Sequence, residues 1–212
     1  MFDFLILFGS TGPKDVVLIL DTSGSMSSYD RLEIMKEAAI RVINTLGFAD
    51  YVSVIQFNDY ASTLYSTYMS RATSDVKSNL ISSIEALEAN GSTNFHDAFD
   101  LAFRTLESSI TKEERTTNCH KAILFLTDGV MSSEYGTKSQ LLSNIEEKMS
   151  FYSTMKPTIF TYSFGSGATD DIPKKIACNT GKSLAATRLC YFHLDSFLSA
   201  CIKRQSVLSS HV

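Results

Sequence analysis

Five side chains with oxygen donors stand out by type and spacing. Asp21, Ser23 and Ser25 follow the pattern D-x-S-x-S inside DVVLILDTSGSMSS, Thr93 lies in G-S-T-N, and Asp128 lies in T-D-G. Two carboxylates and three hydroxyls make an all-oxygen, roughly octahedral donor set of the kind that suits a hard cation, Mg²⁺ first, with Mn²⁺ or Ca²⁺ as substitutes. Charge counting supplies the chemistry. Two carboxylates neutralise a dication, while neutral hydroxyls and waters fill the remaining positions without adding charge. Such an ion stays electrophilic and keeps an exchangeable water. If a carboxylate of a partner protein replaces that water, the ion bridges two molecules.

The elements that must position these residues are legible around them. Val16 to Leu20 form a continuous apolar run, the habit of a strand covered on both faces in a parallel sheet. The D-x-S-x-S cluster falls at its C-terminal end, which is where open α/β sheets bind ligands. KAILFLTDG (121–129) repeats the same grammar, a buried strand running straight into a hydroxyl and an aspartate.

Between the two, Asp30 is placed to cap a helix with Leu32, Met35, Ala39, Val42, Ile43 and Leu46 at spacings of three and four, closed by Gly47. YVSVIQF (51–57) reads as a second strand, and NDYASTLYST as a turn into a short edge strand. Ser74 or Asp75 can cap a helix carrying Val76, Leu80, Ile81, Ile84 and Leu87, which NGST (90–93) breaks. Phe95, Ala98, Phe99, Ala102, Phe103 and Leu106 mark a further helix. A helix over 138–154, a buried strand PTIFTYSFG (157–165), a short helix DDIPKKIAC and a last strand GKSLAAT complete the pattern. The expected fold is a doubly wound, mostly parallel α/β sheet with helices on both faces and one antiparallel edge strand.

This arrangement resembles the metal-ion-dependent adhesion site of von Willebrand factor type A, or integrin I-like, domains, over roughly residues 15–187. The resemblance implies that Ser23, Ser25 and Thr93 ligate directly through their hydroxyls, and that Asp21 and Asp128 do so directly or through water. Two segments, TTNCHKAILFLTDG and TYSFGSGATDDIPKKIACNTGKSL, are similar to the alpha-2/delta auxiliary subunits of voltage-gated calcium channels and their relatives. They share an N-C-x-K lead into the T-D-G strand and an A-C-x-x-x-G ending to the last helix.

The implied function is a divalent-metal-dependent protein-binding module for adhesion or ligand recognition, not an enzyme. Its partner is a protein with an exposed Asp or Glu. The implied setting is extracellular or at the cell surface, within a larger protein or complex. The resemblance further implies affinity switching, in which Thr93 moves onto the ion and pulls on the last helix.

Composition bounds the same reading. A chain of 212 residues with 44% hydrophobic and 20% charged content is large enough for one domain with a proper core. We expect that domain over 14–204, its pattern departing from the family over 187–204, between an extension at 1–13 and a tail at 205–212. A net charge of −4 provides no electrostatic reason for nucleic acid binding. No apolar run approaches the ~20 residues of a membrane-spanning helix. Phe2 to Phe8 is apolar but broken by Asp3 and lacks a basic leader, so it reads as the start of a fragment before a signal peptide. Cys119, Cys178, Cys190 and Cys201 show no C-x-x-C spacing, and nothing selects among their pairings or the free-thiol reading.

Blander readings compete at each position. Asp21, Ser23 and Ser25 alone suit a turn and a helix cap, but Thr93 and Asp128 come from separate segments and make coincidence the weaker account. Asn90 heads a formal glycosylation sequon and is read as a turn former, since a glycan there would crowd Thr93. His96 reads as a solvated helix end, Phe95, Phe99 and Phe103 as core, and Lys174 and Lys175 as a solvated face. The rival function is a Mg²⁺-dependent phosphohydrolase of haloacid dehalogenase type, which also places an aspartate after its first strand. That chemistry wants a second aspartate two residues on, and here the position is Ser23. G-S-G at 165–167 is too short to cradle phosphates, and no G-x-S-x-G elbow occurs.

Overall fold

The computed structural model describes residues 12–112, 115–152, 156–164, 171–180 and 191–193. Strand β1 (Lys14–Asp21) is buried along its whole length, as a central strand must be when both faces are covered. It pairs in parallel with β2 (Tyr51–Phe57) on one side and with β5 (His120–Thr127) on the other. Beyond β5 lie β6 (Thr158–Ser163) and β7 (Tyr191–His193), both parallel. The expected antiparallel edge arrives in two pieces, β3 (Ala61–Thr63) and β4 (Ser70–Arg71), each paired with β2. Strand order is therefore β3-β2-β1-β5-β6-β7 with β4 also on β2. The chain winds outward from β1 in one direction and then returns to wind in the other. The gap between β1 and β5 is thus the switch point at which α/β sheets open a crevice.

Alternation along β1 divides the core. Val16, Leu18 and Leu20 face α1 (Arg31–Thr45) and α2 (Ser74–Glu85), packing on Met35, Ala39, Ile43, Leu80 and Ile84. Val17 and Ile19 face α3 (Phe95–Thr111), α4 (Lys138–Ser150) and α5 (Asp171–Thr180). The phenylalanines expected in the core are there: Phe95, Phe99 and Phe103 are at most 1% exposed. Phe125 sits 4.9 Å from the ring of Phe95 and 4.9 Å from that of Phe99. These rings clamp the start of α3 onto the ends of β2 and β5, so the loop before α3 hangs at the C-terminal edge of the sheet.

Several local expectations are corrected. Asp30 occupies the residue before α1, but its φ of 55° is left-handed and its side chain caps nothing; a cap needs an extended conformation to aim its oxygen at the first free N–H groups. Thr73, not Ser74 or Asp75, caps α2 by accepting from the Val76 N–H at 3.3 Å. Helix α4 stops at Ser150, and β6 alternates in burial where a fully buried strand was expected. Among the described residues the last strand is β7, whereas the expected GKSLAAT strand, residues 1–11, the glycines at 165–167 and the tail lie outside them.

Candidate metal centre

Asp21 ends β1 with no exposed surface, and both its oxygens are engaged by hydrogens. Oδ1 accepts the Ser23 N–H at 2.9 Å, and Oδ2 accepts the Thr127 hydroxyl at 2.5 Å. Thr127 is the last residue of β5, so this bond closes the switch point from strand to strand. No cation pairs with Asp21 among the described residues. Burial is the largest cause that pushes its carboxyl up from 3.8 to about 6; bonds from Ser23 and Thr127 pull it back, and the neighbouring charge of Asp128 adds to the rise.

After β1 the chain makes a short 3-10 turn, Gly24–Ser27. Its entry brings the hydroxyls of Ser23 and Ser25 within 3.1 Å of each other, Ser23 1% exposed and Ser25 half-buried. Two hydroxyl oxygens at that separation can face one small ion together. Asp128 follows β5 directly, has no exposed surface, and its Oδ2 accepts from Arg31 Nη1 at 2.9 Å.

Thr93 comes from the loop between α2 and α3, stitched into place by backbone bonds. The Asn90 N–H donates to the Thr22 carbonyl at 2.9 Å, and the Gly24 N–H donates to the Gly91 carbonyl at 3.0 Å. On the other side the Ser132 N–H reaches the Thr93 carbonyl at 3.2 Å, and the Thr93 N–H donates to Ser132 Oγ at 3.3 Å. Gly91 is required here: its φ is +72°, and a Cβ would lie 2.2 Å from Asp59 Oδ2. Thr93 is 6% exposed. Asp21, at the end of β1, and Ser23, Ser25, Thr93 and Asp128, on loops, therefore all lie at one edge of the sheet. Direct bonds knit Asp21 to Ser23 and Ser23 to Ser25, while Thr93 is held by its backbone.

Other residues of this edge are less obvious from sequence. Arg31 is the first residue of α1 yet reaches Asp128, and Thr127 anchors Asp21. Ser132 bonds Ser92 hydroxyl to hydroxyl at 2.5 Å; Glu134 accepts from Ser92 at 2.5 Å, and Tyr135 donates to Asp59 at 2.9 Å. A signal existed for two of them: Thr127 is the hydroxyl that ends the second apolar run, and Arg31 is a cation in the first turn of a helix, which opposes the helix dipole and asks for a local carboxylate. Two further residues near the loop are placed by their contacts. Asn90 is exposed and its side chain accepts from Asn58 at 2.7 Å. His96 is not a solvated end: it is half-buried, and its Nε2 has no hydrogen-bond partner among the described residues. Cys119 carries a free thiol, and the other cysteine side chains fall outside the described residues.

The donor set fits a hard dication. Among the described residues no three His, Cys, Asp or Glu side chains gather at ligand spacing, so the centre's character is that of two carboxylates with hydroxyls. With both Asp21 oxygens occupied by hydrogens, its natural contribution is charge and an acceptor for a bound water. The hydroxyls of Ser23 and Ser25 remain as neutral donors.

The profile of the von Willebrand factor type A domain matches residues 16–130. The human voltage-dependent calcium channel subunit alpha-2/delta-2 is 30% identical over 203 residues, covering 94% of this chain and 16% of that subunit. The chain thus spans about one sixth of the length of such relatives. Among solved structures, a von Willebrand factor type A protein from Catenulispora acidiphila superposes with a TM-score of 0.66 at 22% identity, covering 80% of this chain and 37% of that one. Proximal thread matrix protein 1 of the mussel byssus, solved with a zinc-occupied MIDAS motif, superposes with a TM-score of 0.58 at 17% identity, covering 86% of this chain and 41% of that one.

Proposed function

The chain belongs to the von Willebrand factor type A domain family, and on that premise we propose that it is a divalent-metal-dependent protein-binding module for an exposed Asp or Glu of a partner protein. Asp21, Ser23, Ser25, Thr93 and Asp128 would hold Mg²⁺, with Mn²⁺ or Ca²⁺ as substitutes. A dication bound there supplies an electrophilic point with one replaceable water. The chain's own residues do the rest. Ser23, Ser25 and Thr93 would contribute oxygen without charge, Thr127 fixes the Asp21 carboxylate, and the backbone bonds of Asn90 and Gly24 hold the loop that carries Thr93 against the turn that carries Ser23 and Ser25. The family is one of adhesion and interaction modules, and Ser23 stands where a phosphohydrolase needs its second aspartate.

The observation that carries this reading is the Asp21 cluster. A wholly buried carboxylate with no cationic partner among the described residues lies beside two hydroxyls 3.1 Å apart, at the switch point of the sheet. Elsewhere, buried carboxylates are paired: Asp50 lies 3.3 Å from Lys14 and Asp15 3.8 Å from Lys121. An unpaired buried charge is costly, so a site that retains one is built for a cation. Exposed apolar side chains on the same edge supply the rim a partner would cover. Tyr29, Tyr60 and Val130 are 79%, 67% and 47% exposed, and aromatic residues are favoured at interfaces. The zinc-occupied motif of the mussel neighbour supports divalent occupancy. Kinship with a calcium channel subunit supports a cell-surface setting in a larger protein; the domain is taken to span 14–204.

Calorimetric titration with MgCl₂ and MnCl₂, followed by capture on an immobilised Asp-containing peptide, tests the proposal. The wild-type chain should take up one ion and bind the peptide reversibly to chelator, and Ser25→Ala and Asp128→Ala should lose both. Absence of ion uptake by the wild type, or metal-dependent hydrolysis of a phosphate monoester, would overturn it.

A further inference from the structure

Arg31 occupies an expensive position. As the first residue of α1 it sets a positive charge where the helix dipole disfavours one. The two residues before it, Tyr29 and Asp30, both adopt left-handed backbone, with φ of 56° and 55°, a conformation disfavoured for any residue with a Cβ. Its Nε is buried without a hydrogen-bond partner among the described residues. These costs accompany one ion pair and two looser contacts. Nη1 donates to Asp128 Oδ2 at 2.9 Å, with a longer 3.5 Å approach to the Ser25 carbonyl. The Asp128 side chain is 0% exposed and that of Arg31 12%, so little water screens the pair. The guanidinium also lies 5.5 Å from the ring of Tyr29, which is itself exposed on the rim.

Resting on the metal-site reading above, we infer that Arg31 tunes the centre: it weakens the hold on the dication and strengthens the pull on an incoming carboxylate. Two carboxylates and a guanidinium leave the centre with a single negative charge, and a dication turns that into a single positive one. Without Arg31 the same loading would end at neutrality. A guanidinium committed to Oδ2 also leaves Asp128 less electron density to offer an ion. Arg31 is therefore a specificity-determining residue, built to exchange ion affinity for carboxylate affinity.

Ion titration and peptide capture on Arg31→Gln and Arg31→Lys, in the full chain, test the inference. Arg31→Gln should bind Mg²⁺ about tenfold more tightly than wild type and, at saturating Mg²⁺, capture the Asp-containing peptide about tenfold more weakly. Arg31→Lys, which keeps the charge, should return both values toward wild type, a rescue that a purely structural role would not give. Because Arg31→Gln leaves a buried carboxylate unpaired in the ion-free chain, a second measurement guards against a folding failure: each variant is folded in excess Mg²⁺ and the ion is withdrawn with graded chelator, and Arg31→Gln should release it at about tenfold higher chelator than wild type. Unchanged or weaker ion affinity on removing Arg31, in either measurement, overturns the inference while leaving the metal site standing. A wild-type chain that takes up no ion removes both.

Discussion

Asp21 concentrates the chemistry of the site in one carboxyl. Its value of about 6 against an ordinary 3.8 means that the folded chain holds this proton more tightly than the unfolded chain does. The sign of the pH dependence follows. Folding is not opposed by Asp21 below pH 3.8, and stability falls as pH rises through about 6, where the buried group must ionise. A difference of that size is worth ~3 kcal/mol once complete. Chemical denaturation in chelator, run between pH 4 and pH 7, should show that decline, and Asp21→Asn should flatten it while abolishing the response to Mg²⁺. A slope that survives in Asp21→Asn would place its source elsewhere. The residue types of the site could be read from the chain because carboxylates and hydroxyls directly after apolar strands have few other uses. The bond from Thr127 to Asp21 could not, since it joins residues 106 apart.

Among the elements, α3 matters most to the site, because its first turn fixes the loop that carries Thr93. The Asn94 side chain accepts from the Asp97 N–H at 3.1 Å and donates to the Asp59 carbonyl at 3.0 Å, tying the helix start to the turn after β2. Below it, Phe99 packs 4.9 Å from Phe125, the aromatic core of β5. Phe99→Ala should cost about 3–5 kcal/mol in urea unfolding, the range for truncating a buried phenylalanine. A loss under 1 kcal/mol would mean that the ring is not the clamp described. The helices were legible from spacings of three and four, but their caps were less so. Asp30 has the right type at the right place and still caps nothing, because its left-handed backbone turns its side chain away from the free N–H groups of the first turn.

At the scale of the whole molecule, ion binding and folding are one equilibrium. The loops that would hold the ion leave β1, β5 and the start of α3, so an ion that binds only their folded arrangement stabilises the entire sheet. At a hundredfold excess over its dissociation constant it should add ~2.7 kcal/mol to the unfolding free energy. For a domain of this size that corresponds to a rise in melting temperature of roughly 5–10 °C. Scanning calorimetry with and without Mg²⁺ checks this, and Ser25→Ala should remove the gain. An equal rise in Ser25→Ala would signal an ion bound elsewhere.

The amino-acid sequence by itself determined the architecture and the candidate donors. Short apolar runs bounded by turn residues favour buried strands, helical periodicity favours amphipathic helices, and their alternation favours a parallel sheet whose C-terminal edge receives Asp21, Ser23, Ser25, Thr93 and Asp128. Tertiary structure alone decided strand order, the splitting of the antiparallel edge into β3 and β4, and the pairing of Arg31 with Asp128 across 97 residues. The physical reason is range. Periodicity and turn chemistry act over a few neighbouring residues and are written locally. Charge pairing inside a desolvated crevice depends on which distant segments the packed core brings within about 3 Å.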